Sequence, residues 1–302
     1  MPPRPPAPGQ EIDGPTGPNS RALGKGARAV MLGTEFRRIA ELAGAMGWRG
    51  TLVVRDGQLL VEQNGALFHA QDEFRFFRDD GRSIARPMQR KLKERGLPIR
   101  TVFDLGANIG EVAISFARAH PDARVYAFEP APENLLRLDA NIALQPKTCR
   151  NLTVVREAVS DRRGEIEITV GAGGLNTVMT RGNRERVAAR ADIHVQRVPT
   201  DTLDSYCARF GVERIDFLKV DIEGAEPLLS ASVRRLAGRI GSAYVEISRF
   251  NALDAYLELA DAFAAGGLVM ENRRVPIPDP RPYLEQSLER SPATNVWFMP
   301  GR

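Results

Sequence analysis

Cysteine is scarce in this chain of 302 residues, which has only Cys149 and Cys207. The two lie in unrelated contexts without the spacing of a metal site, so we expect reduced thiols in a cytoplasmic protein. Long apolar runs are also absent. The most apolar late stretch, residues 257–270, is interrupted by Glu258, Asp261 and two glycines, so we expect no membrane span. The N-terminus has arginines but no apolar stretch after them, and no secretory signal is predicted.

The chain also lacks a block of one charge sign. Its net charge is +4, and arginine and lysine residues are interspersed with acidic ones. A nucleic-acid-binding protein usually concentrates positive charge on one face. We therefore expect a solvated surface of mixed charge, with neither a nucleic acid nor a membrane as partner.

Two kinds of segment precede the regular part of the chain. Residues 1–33 are rich in proline and glycine and have no hydrophobic period, which predicts a disordered tail. Residues 34–99 predict a small N-terminal α+β extension. It begins with a short helix between Glu35 and Trp48.

The rest of this extension has clear turn signals. Asp56-Gly57 and Asn64-Gly65 separate three apolar runs, which predicts a β-meander. A basic helix follows, with Pro87 in its first turn and Gly96-Leu97-Pro98 at its end.

From residue 100 onward, apolar strands alternate with helical patterns. The predicted strands are residues 100–105, 124–128, 151–159, 215–220, 242–247 and 294–299, and the predicted helices are residues 109–116, 132–142, 227–236 and 253–265. Such alternation implies a mostly parallel sheet with helices on both faces. We therefore predict an α/β domain over residues 100–302.

A glycine loop stands between the first strand and helix of this domain. Gly106 and Gly110 allow a tight turn and a close approach of the backbone to a ligand, and amides at a helix start can receive a polar or anionic group. Asp104 precedes the turn. Glu129, at the end of the next strand, is placed to accept hydrogen bonds from both hydroxyls of a ribose. Asn108 departs from G-x-G-x-x-G and would crowd a pyrophosphate, so a nucleoside site is favoured over a dinucleotide site.

A second group of polar residues ends the fourth strand of the domain. Alternation along that strand places Lys219 and Asp221 on one side, at the edge where open α/β sheets bind ligands. Glu226 has two interpretations, a site residue or a residue that favours a helix N-terminus. Glu246 ends the fifth strand at the same edge. A hard cation is conceivable among Asp221, Glu223 and Glu246, but nothing in their spacing requires one, and no metal site is predicted.

Four segments together resemble the FkbM family of S-adenosylmethionine-dependent methyltransferases. In order, they are Asp104-Leu-Gly-Ala-Asn-Ile-Gly110, Phe128-Glu-Pro130 followed by Asn141, Thr202-Leu-Asp204, and Leu218-Lys-Val-Asp-Ile-Glu-Gly-Ala-Glu226. The resemblance implies a Rossmann-like class I methyltransferase sheet and S-adenosyl-L-methionine as cofactor. It also implies an O-methyltransferase acting on a hydroxyl of a sugar, polyketide or related small metabolite.

The resemblance also implies site residues. The loop at the methionine end of the donor would consist of Asp104, Gly106, Asn108 and Gly110. Glu129 would bind the ribose, and residues 158–161, from Ala158 to Asp161, would lie beside the adenine. The residues at the reacting centre would be Lys219, Asp221 and Glu223. One departure from the family is Ser230-Ala231-Ser232, where a glycine is common. Residues 171–192 are placed to cover the acceptor, and His194 is a candidate base.

Three other functions remain open from sequence. A nicotinamide-dependent oxidoreductase uses a similar sheet, but Asn108 and the acidic cluster argue against it. An RNA-modifying methyltransferase typically has an Asn/Asp-Pro-Pro-Tyr/Phe loop after the fourth strand, where this chain has Asp221-Ile-Glu-Gly. A non-catalytic binding protein would have lost donor-site residues, and all of them are present here.

Overall fold

The computed structural model describes residues 51–56, 58–70, 83–170, 194–249 and 251–301, together with Glu41. Three segments interpreted above lie outside these residues: the tail 1–33, the helix near 35–48 apart from Glu41, and the segment 171–192. The chain divides into two compact units, Met1–Pro87 and Met88–Arg302. Within the described residues, no helix has both the length and the apolar character needed to span a bilayer.

The first unit contains the β-meander that the sequence predicts. Strands β1 (Thr51–Arg55), β2 (Gln58–Gln63) and β3 (Ala66–His69) pair antiparallel in that order. Asn64 and Gly65 connect β2 to β3 with φ angles of 52° and 76°, the conformation of a tight hairpin turn.

An eight-stranded sheet is the centre of the second unit. The strands of this unit are β4 (Thr101–Leu105), β5 (Arg124–Phe128), β6 (Leu152–Val155), β7 (Ala158–Ser160), β8 (Gly164–Val170), β9 (His194–Thr202), β10 (Phe217–Val220), β11 (Ala243–Ser248), β12 (Leu268–Asn272), β13 (Val275–Pro276) and β14 (Ala293–Pro300). The large sheet has the order β13-β12-β14-β11-β10-β4-β5-β6, and β7, β9 and β8 form a separate sheet. The five strands from β11 to β6 are parallel, whereas β14 runs antiparallel to β11 and β12. The predicted Rossmann-like class I methyltransferase sheet is confirmed.

Helices cover both faces of the large sheet. The described helices are α1 (Ala85–Glu94), α2 (Glu111–Ala119), α3 (Pro132–Ala143), α4 (Leu203–Arg209), α5 (Ser230–Arg235), α6 (Leu253–Ala265) and α7 (Pro280–Arg290). Phe116 of α2 stacks on Phe217, whereas Phe263 of α6 stacks on Phe298. The register aligns Phe298 with Leu218, so these two ring pairs lie on opposite faces.

The strand order creates a crevice between β4 and β10. After β4 the chain goes through α2 to β5 on one side, whereas β10 is followed by β11 on the other side. The loops that leave β4 and β10 therefore diverge at the carboxyl edge of the sheet, and open α/β sheets bind ligands at such a point.

Two predicted elements were wrong in detail. The strand predicted over residues 151–159 is two strands, β6 in the large sheet and β7 in the small one, because the polar pair Arg156-Glu157 interrupts the apolar run. The helix predicted over residues 227–236 is a 3₁₀ turn, Glu226–Leu229, followed by α5. The structure also has elements that the sequence did not predict, namely β8, β9, α4, β12, β13 and α7.

Candidate active site

The carboxyl edge of the sheet brings two acidic residues and one lysine together. The register places Lys219 of β10 beside Asp104 of β4, and their side chains share one face. Lys219 Nζ lies 3.3 Å from Asp104 Oδ1 and 3.3 Å from Asp221 Oδ2. It also donates a hydrogen bond of 2.8 Å to the carbonyl oxygen of Gly106. Lys219 therefore connects the glycine loop to the loop after β10.

Lys219 is suited to holding this edge together, not to accepting a proton. The side chain is only 4% exposed, and burial alone would lower its pKa. The charges of Asp104 and Asp221 outweigh burial and raise the pKa of Lys219 above its usual range. Its amine stays a cation at any physiological pH.

Gly106 lets the glycine loop press against the end of β10. Its φ is +78°, and a Cβ atom there would lie 1.8 Å from the carbonyl oxygen of Asp221. The amides of Gly106 and Ala107 both donate to the carbonyl of Phe128, at 3.0 and 2.9 Å. The loop is thus held between the ends of β5 and β10, where only glycine fits at position 106.

Glu129 fixes the other side of the same loop. Its Oε2 accepts a 2.7 Å hydrogen bond from the amide of Asn108. Its Oε1 accepts from the amide of Ala131 at 3.0 Å and from Asn134 Nδ2 at 3.2 Å. Burial raises the pKa of Glu129, and these three hydrogen bonds oppose that shift. A carboxylate has about four acceptor positions, so one is left for a ligand hydroxyl, and not the two that hydrogen bonds from both hydroxyls of a ribose would need.

Two buried acceptor atoms at the loop have no hydrogen-bond donor among the described residues. They are Oδ2 of Asp104, whose Oδ1 faces the Lys219 ammonium, and Oδ1 of Asn108. The Asp104 side chain is fully buried, which raises its pKa, although the nearby Lys219 ammonium opposes the shift. Buried polar atoms are normally paired, so a ligand with an ammonium or hydroxyl group fits this position.

A buried polar network shapes the loop that follows β10. Glu226 Oε1 accepts hydrogen bonds from the amides of Ile222 and Gly224, each at 3.0 Å. Its Oε2 accepts from the hydroxyl of Tyr256 at 3.2 Å. Of the two interpretations of Glu226, the structural one fits this geometry. The network supports the left-handed φ of +54° at Glu223.

Carboxylates are concentrated beside this loop. Burial, followed by the charges of Asp221, Glu223 and Glu226, raises the pKa of Glu246 to about 8. Asp221 is 34% exposed, so it is accessible as well as paired with Lys219. Among the residues that the structure describes, no group of three or more His, Cys, Asp or Glu side chains has a metal-binding arrangement.

The other predicted site residues lie in the small sheet. Ala158 is buried in β7, and Asp161 follows β7 with Oδ1 accepting from Ser160 Oγ at 3.1 Å. His194 begins β9, is exposed and pairs with Val170. It is six residues, or about 20 Å, along the strand from Thr200, the partner of Ala158. The structure brings His194 into no contact with the acidic residues described above, and its role as a base stays a prediction.

The Thr202-Leu-Asp204 segment is structural. Thr202 Oγ1 caps α4 by accepting from the Ser205 amide at 3.3 Å. Asp204 accepts hydrogen bonds from Arg235 at 2.7 and 2.8 Å and from Ser232 Oγ at 2.8 Å, which links α4 to α5. Ser232, at the departure from the family pattern, therefore has a defined partner.

The sequence did not predict the residues that support the site through hydrogen bonds to its acidic side chains and backbone. Tyr256 and Asn134 bind the carboxylates of Glu226 and Glu129. Tyr206 donates to Glu157 Oε2 at 2.9 Å and to the carbonyl of Ala158 at 2.8 Å. The one local signal in the sequence was the position of Asn134, in the first turn of the helix that begins shortly after Glu129.

Comparisons with known proteins point to one family. The model of the FkbM methyltransferase domain matches residues 104–258, just over half of the 302-residue chain. The chain is 30% identical over 149 residues to methyltransferase sdnD of Sordaria araneosa, which covers 41% of this chain and 57% of that protein. It is 27% identical over 161 residues to 2-O-methyltransferase NoeI of Sinorhizobium fredii, covering 50% and 64%.

A third relative is 31-O-demethyl-FK506 methyltransferase FkbM of Streptomyces tacrolimicus, 29% identical over 159 residues, with 45% and 60% covered. The matched region thus spans less than two thirds of each of these relatives. A crystal structure of methyltransferase FkbM from Methylobacillus flagellatus aligns with 17% identity and a TM-score of 0.41, covering 66% of this chain and 43% of that one. On the match of the domain model, the chain belongs to the FkbM family of S-adenosylmethionine-dependent methyltransferases.

Proposed function

We propose that this chain transfers a methyl group from S-adenosylmethionine to a hydroxyl oxygen of a sugar, polyketide or related small metabolite. The donor assignment rests on one observation. The glycine loop lies against the loop after β10, so closely that a Cβ atom at position 106 would overlap the carbonyl oxygen of Asp221. The names of two relatives, a 2-O-methyltransferase and a 31-O-demethyl-FK506 methyltransferase, support oxygen as the acceptor atom.

The free acceptor atoms at the loop fit the donor. Oδ2 of Asp104 and Oδ1 of Asn108, which have no hydrogen-bond donor among the described residues, suit the ammonium end of the donor, and Gly106 and Gly110 allow its close approach. Glu129 keeps one acceptor position for a ribose hydroxyl. Ala158 and Asp161 follow β6 at the same carboxyl edge, where the adenine is expected.

The chain's own residues act mainly by positioning. The bound donor supplies a methyl group on a positively charged sulfur, which is already a good leaving group. Asp221 and Glu223 would place negative charge next to the sulfur of a bound donor, and Lys219 holds Asp221 in position. Holding donor and acceptor in line accounts for most of the rate enhancement in such a reaction.

Ligand binding separates this proposal from the oxidoreductase alternative. S-adenosylhomocysteine should raise the melting temperature of the protein and NAD should not, because only a ligand that binds the folded state stabilises it. The reverse result would contradict the donor assignment.

A matched pair of variants tests the donor site. Glu129→Gln puts an amide group among three hydrogen-bond donors and should lower the affinity for S-adenosylhomocysteine by about 10- to 100-fold in calorimetry. Glu133→Gln, an exposed position on the adjacent helix, should bind like the wild type. Equal affinities for the two variants would remove Glu129 from the donor site.

The acceptor class is tested by mass spectrometry. Methyl glycosides and hydroxylated macrolactones, incubated with enzyme and donor, should gain the mass of one CH₂ group at an oxygen. Transfer to nitrogen or to RNA instead would contradict the proposed acceptor. Cytoplasmic localisation and the lack of a nucleic-acid partner remain predictions.

A further inference from the structure

The polar edge of the sheet continues beyond Asp221. The register aligns Lys219 with Tyr244, so Glu246, two residues further along β11, lies on the same face as Lys219 and Asp221. Asn295 of β14 is directly opposite Glu246. The donor residues Asp104 and Glu129 lie on β4 and beyond β5, so Glu246 is on the side of Asp221 that faces away from them. A second substrate at this edge would lie against Glu246.

Glu246 differs from the other acidic residues at this edge in the partners of its carboxylate. Glu129 and Glu226 are buried and accept hydrogen bonds from backbone amides. Asp104 and Asp221 lie at ion-pair distance from Lys219. The carboxylate of Glu246 is only partly buried, and it forms neither a hydrogen bond nor an ion pair with another described residue.

The environment of Glu246 also strengthens it as a base. Burial and the neighbouring negative charges raise its pKa to about 8, near the pH at which a general base works best. The ionisable groups that face it are Lys219 on β10, Asp221 and Glu223 in the following loop, Glu226 in the 3₁₀ turn and Tyr244 on β11. Asp221 differs from Glu246 in that its carboxylate lies 3.3 Å from the Lys219 ammonium and forms an ion pair with it.

We propose that Glu246 is the group that takes the proton from the acceptor hydroxyl, while Asp221 orients the donor. This inference rests on the proposed function. The acceptor oxygen forms a bond to the methyl carbon as its O–H bond breaks, and the proton moves to the Glu246 carboxylate. The electron pair of the S–CH₃ bond stays on sulfur, which becomes a neutral thioether, so atoms and charge balance.

Proton release on donor binding tests the position of Glu246 without any acceptor. The positive sulfur of S-adenosylmethionine should lower the pKa of a carboxyl beside it. At pH 8, about half of the Glu246 carboxyls are protonated, so binding should release up to about half a proton per site. Calorimetry of S-adenosylmethionine binding in two buffers of different ionisation enthalpy measures this release.

Variants assign the released proton. Glu246→Gln should release up to about half a proton less than the wild type, whereas Glu258→Gln, an exposed position on α6, should match the wild type. Equal release by the wild type and Glu246→Gln would overturn the inference. If the wild type binds no S-adenosylmethionine at all, the proposed function fails first, and this inference fails with it.

Turnover gives a second test. Its acceptor is whichever of the methyl glycosides and hydroxylated macrolactones is methylated fastest by the wild type. Glu246→Gln should lower kcat by about 10²- to 10⁴-fold. It should also raise the KM for S-adenosylmethionine, because the coupling that releases a proton on donor binding makes the ionised carboxylate strengthen that binding. The wild-type kcat should rise with pH to a plateau, with its midpoint below about 8 because the bound donor lowers the pKa of Glu246, and the variant should lose this rise. A variant that keeps the wild-type pH profile would overturn the inference, as would a loss of the profile in His194→Gln instead.

Discussion

At the scale of single residues, position 106 carries two separate restrictions. Its φ of +78° lies in the left-handed region, and the carbonyl oxygen of Asp221 occupies the space where a Cβ atom would be. The sequence predicted the first restriction from the glycine itself. The second depends on β10, more than a hundred residues later in the chain, and was not predictable from the loop.

We expect Gly106→Ala to lower stability by about 2–4 kcal/mol, since it combines backbone strain with a steric overlap against backbone that cannot move aside. It should also abolish measurable binding of S-adenosylhomocysteine. Denaturant unfolding and calorimetry check the two effects.

Gly211→Ala is the matched control. Its φ of +59° is also left-handed, but nothing lies within 4 Å of the added Cβ atom. It should lower stability by only about 1 kcal/mol and leave ligand binding unchanged. Equal losses in the two variants would show that strain alone, not the approach of Asp221, restricts position 106.

Glu246 should make the protein less stable as pH rises. Its pKa is raised to about 8 in the folded state, against about 4.3 in an unfolded chain. Between these values the folded state holds more protons than the unfolded state, so the free energy of unfolding falls with increasing pH. Glu246→Gln removes this titration and should stabilise the protein at pH 8 by about 1–3 kcal/mol, less near pH 4.

Thermal unfolding across this pH range measures the effect. The difference in melting temperature between Glu246→Gln and the wild type should grow from pH 5 to pH 8. A difference that is constant with pH would mean that Glu246 does not titrate in this range.

At the scale of secondary structure, strands with a clear local apolar run or turn signal were predictable, whereas β8 and β9 of the small sheet were not. β4, β5, β10 and β11 have apolar runs followed by the polar residues of the site, and their positions are confirmed to within about two residues. Within the described part of the chain, β9 pairs with β7 and β8 and not with the large sheet, and many residues of β8 and β9 are exposed. Their stability comes from partners elsewhere in the chain, which a local apolar pattern does not reveal.

The site residues follow the same division. Sequence predicted the chemistry of Asp104, Glu129 and Asp221 and their common edge. It did not predict that Glu129 binds the Asn108 amide or that Lys219 joins Asp104 to Asp221, because both depend on how the loops fold against one another.

The network around Tyr256 should stabilise the loop after β10. The hydroxyl donates to Glu226, accepts from the amide of Ser248 at 3.2 Å, and contacts Asn251 at 3.3 Å. Tyr256→Phe removes the hydroxyl that donates to the buried Glu226 carboxylate and should lower stability by about 1–3 kcal/mol. It should also weaken binding of S-adenosylhomocysteine, because the Asp221 loop loses support.

Tyr283→Phe is the corresponding control. Among the described residues, the Tyr283 hydroxyl makes no hydrogen bond and the side chain is partly buried on α7. Thermal unfolding of the two variants compares them directly. Equal melting temperatures would contradict a supporting role for Tyr256.

At the scale of the whole molecule, the strand order places the site. Five parallel strands end at one edge, and the order diverges between β4 and β10. The residues that resemble the FkbM family come from four separate segments, and those of the glycine loop, β5 and β10 meet at this divergence. The family match covers residues 104–258 and leaves the N-terminal unit outside it. We propose that residues 34–99 form an extension to a methyltransferase domain over residues 100–302.

The central claim is that the glycine loop and the Asp221 loop together hold one nucleoside. A crystal structure of the protein with S-adenosylhomocysteine tests it most directly. We predict density for the ligand between these loops, with its amino group at Asp104 and its ribose at Glu129. A ligand bound elsewhere, or a crevice between β4 and β10 that stays filled by the protein's own side chains at saturating ligand, would contradict the claim.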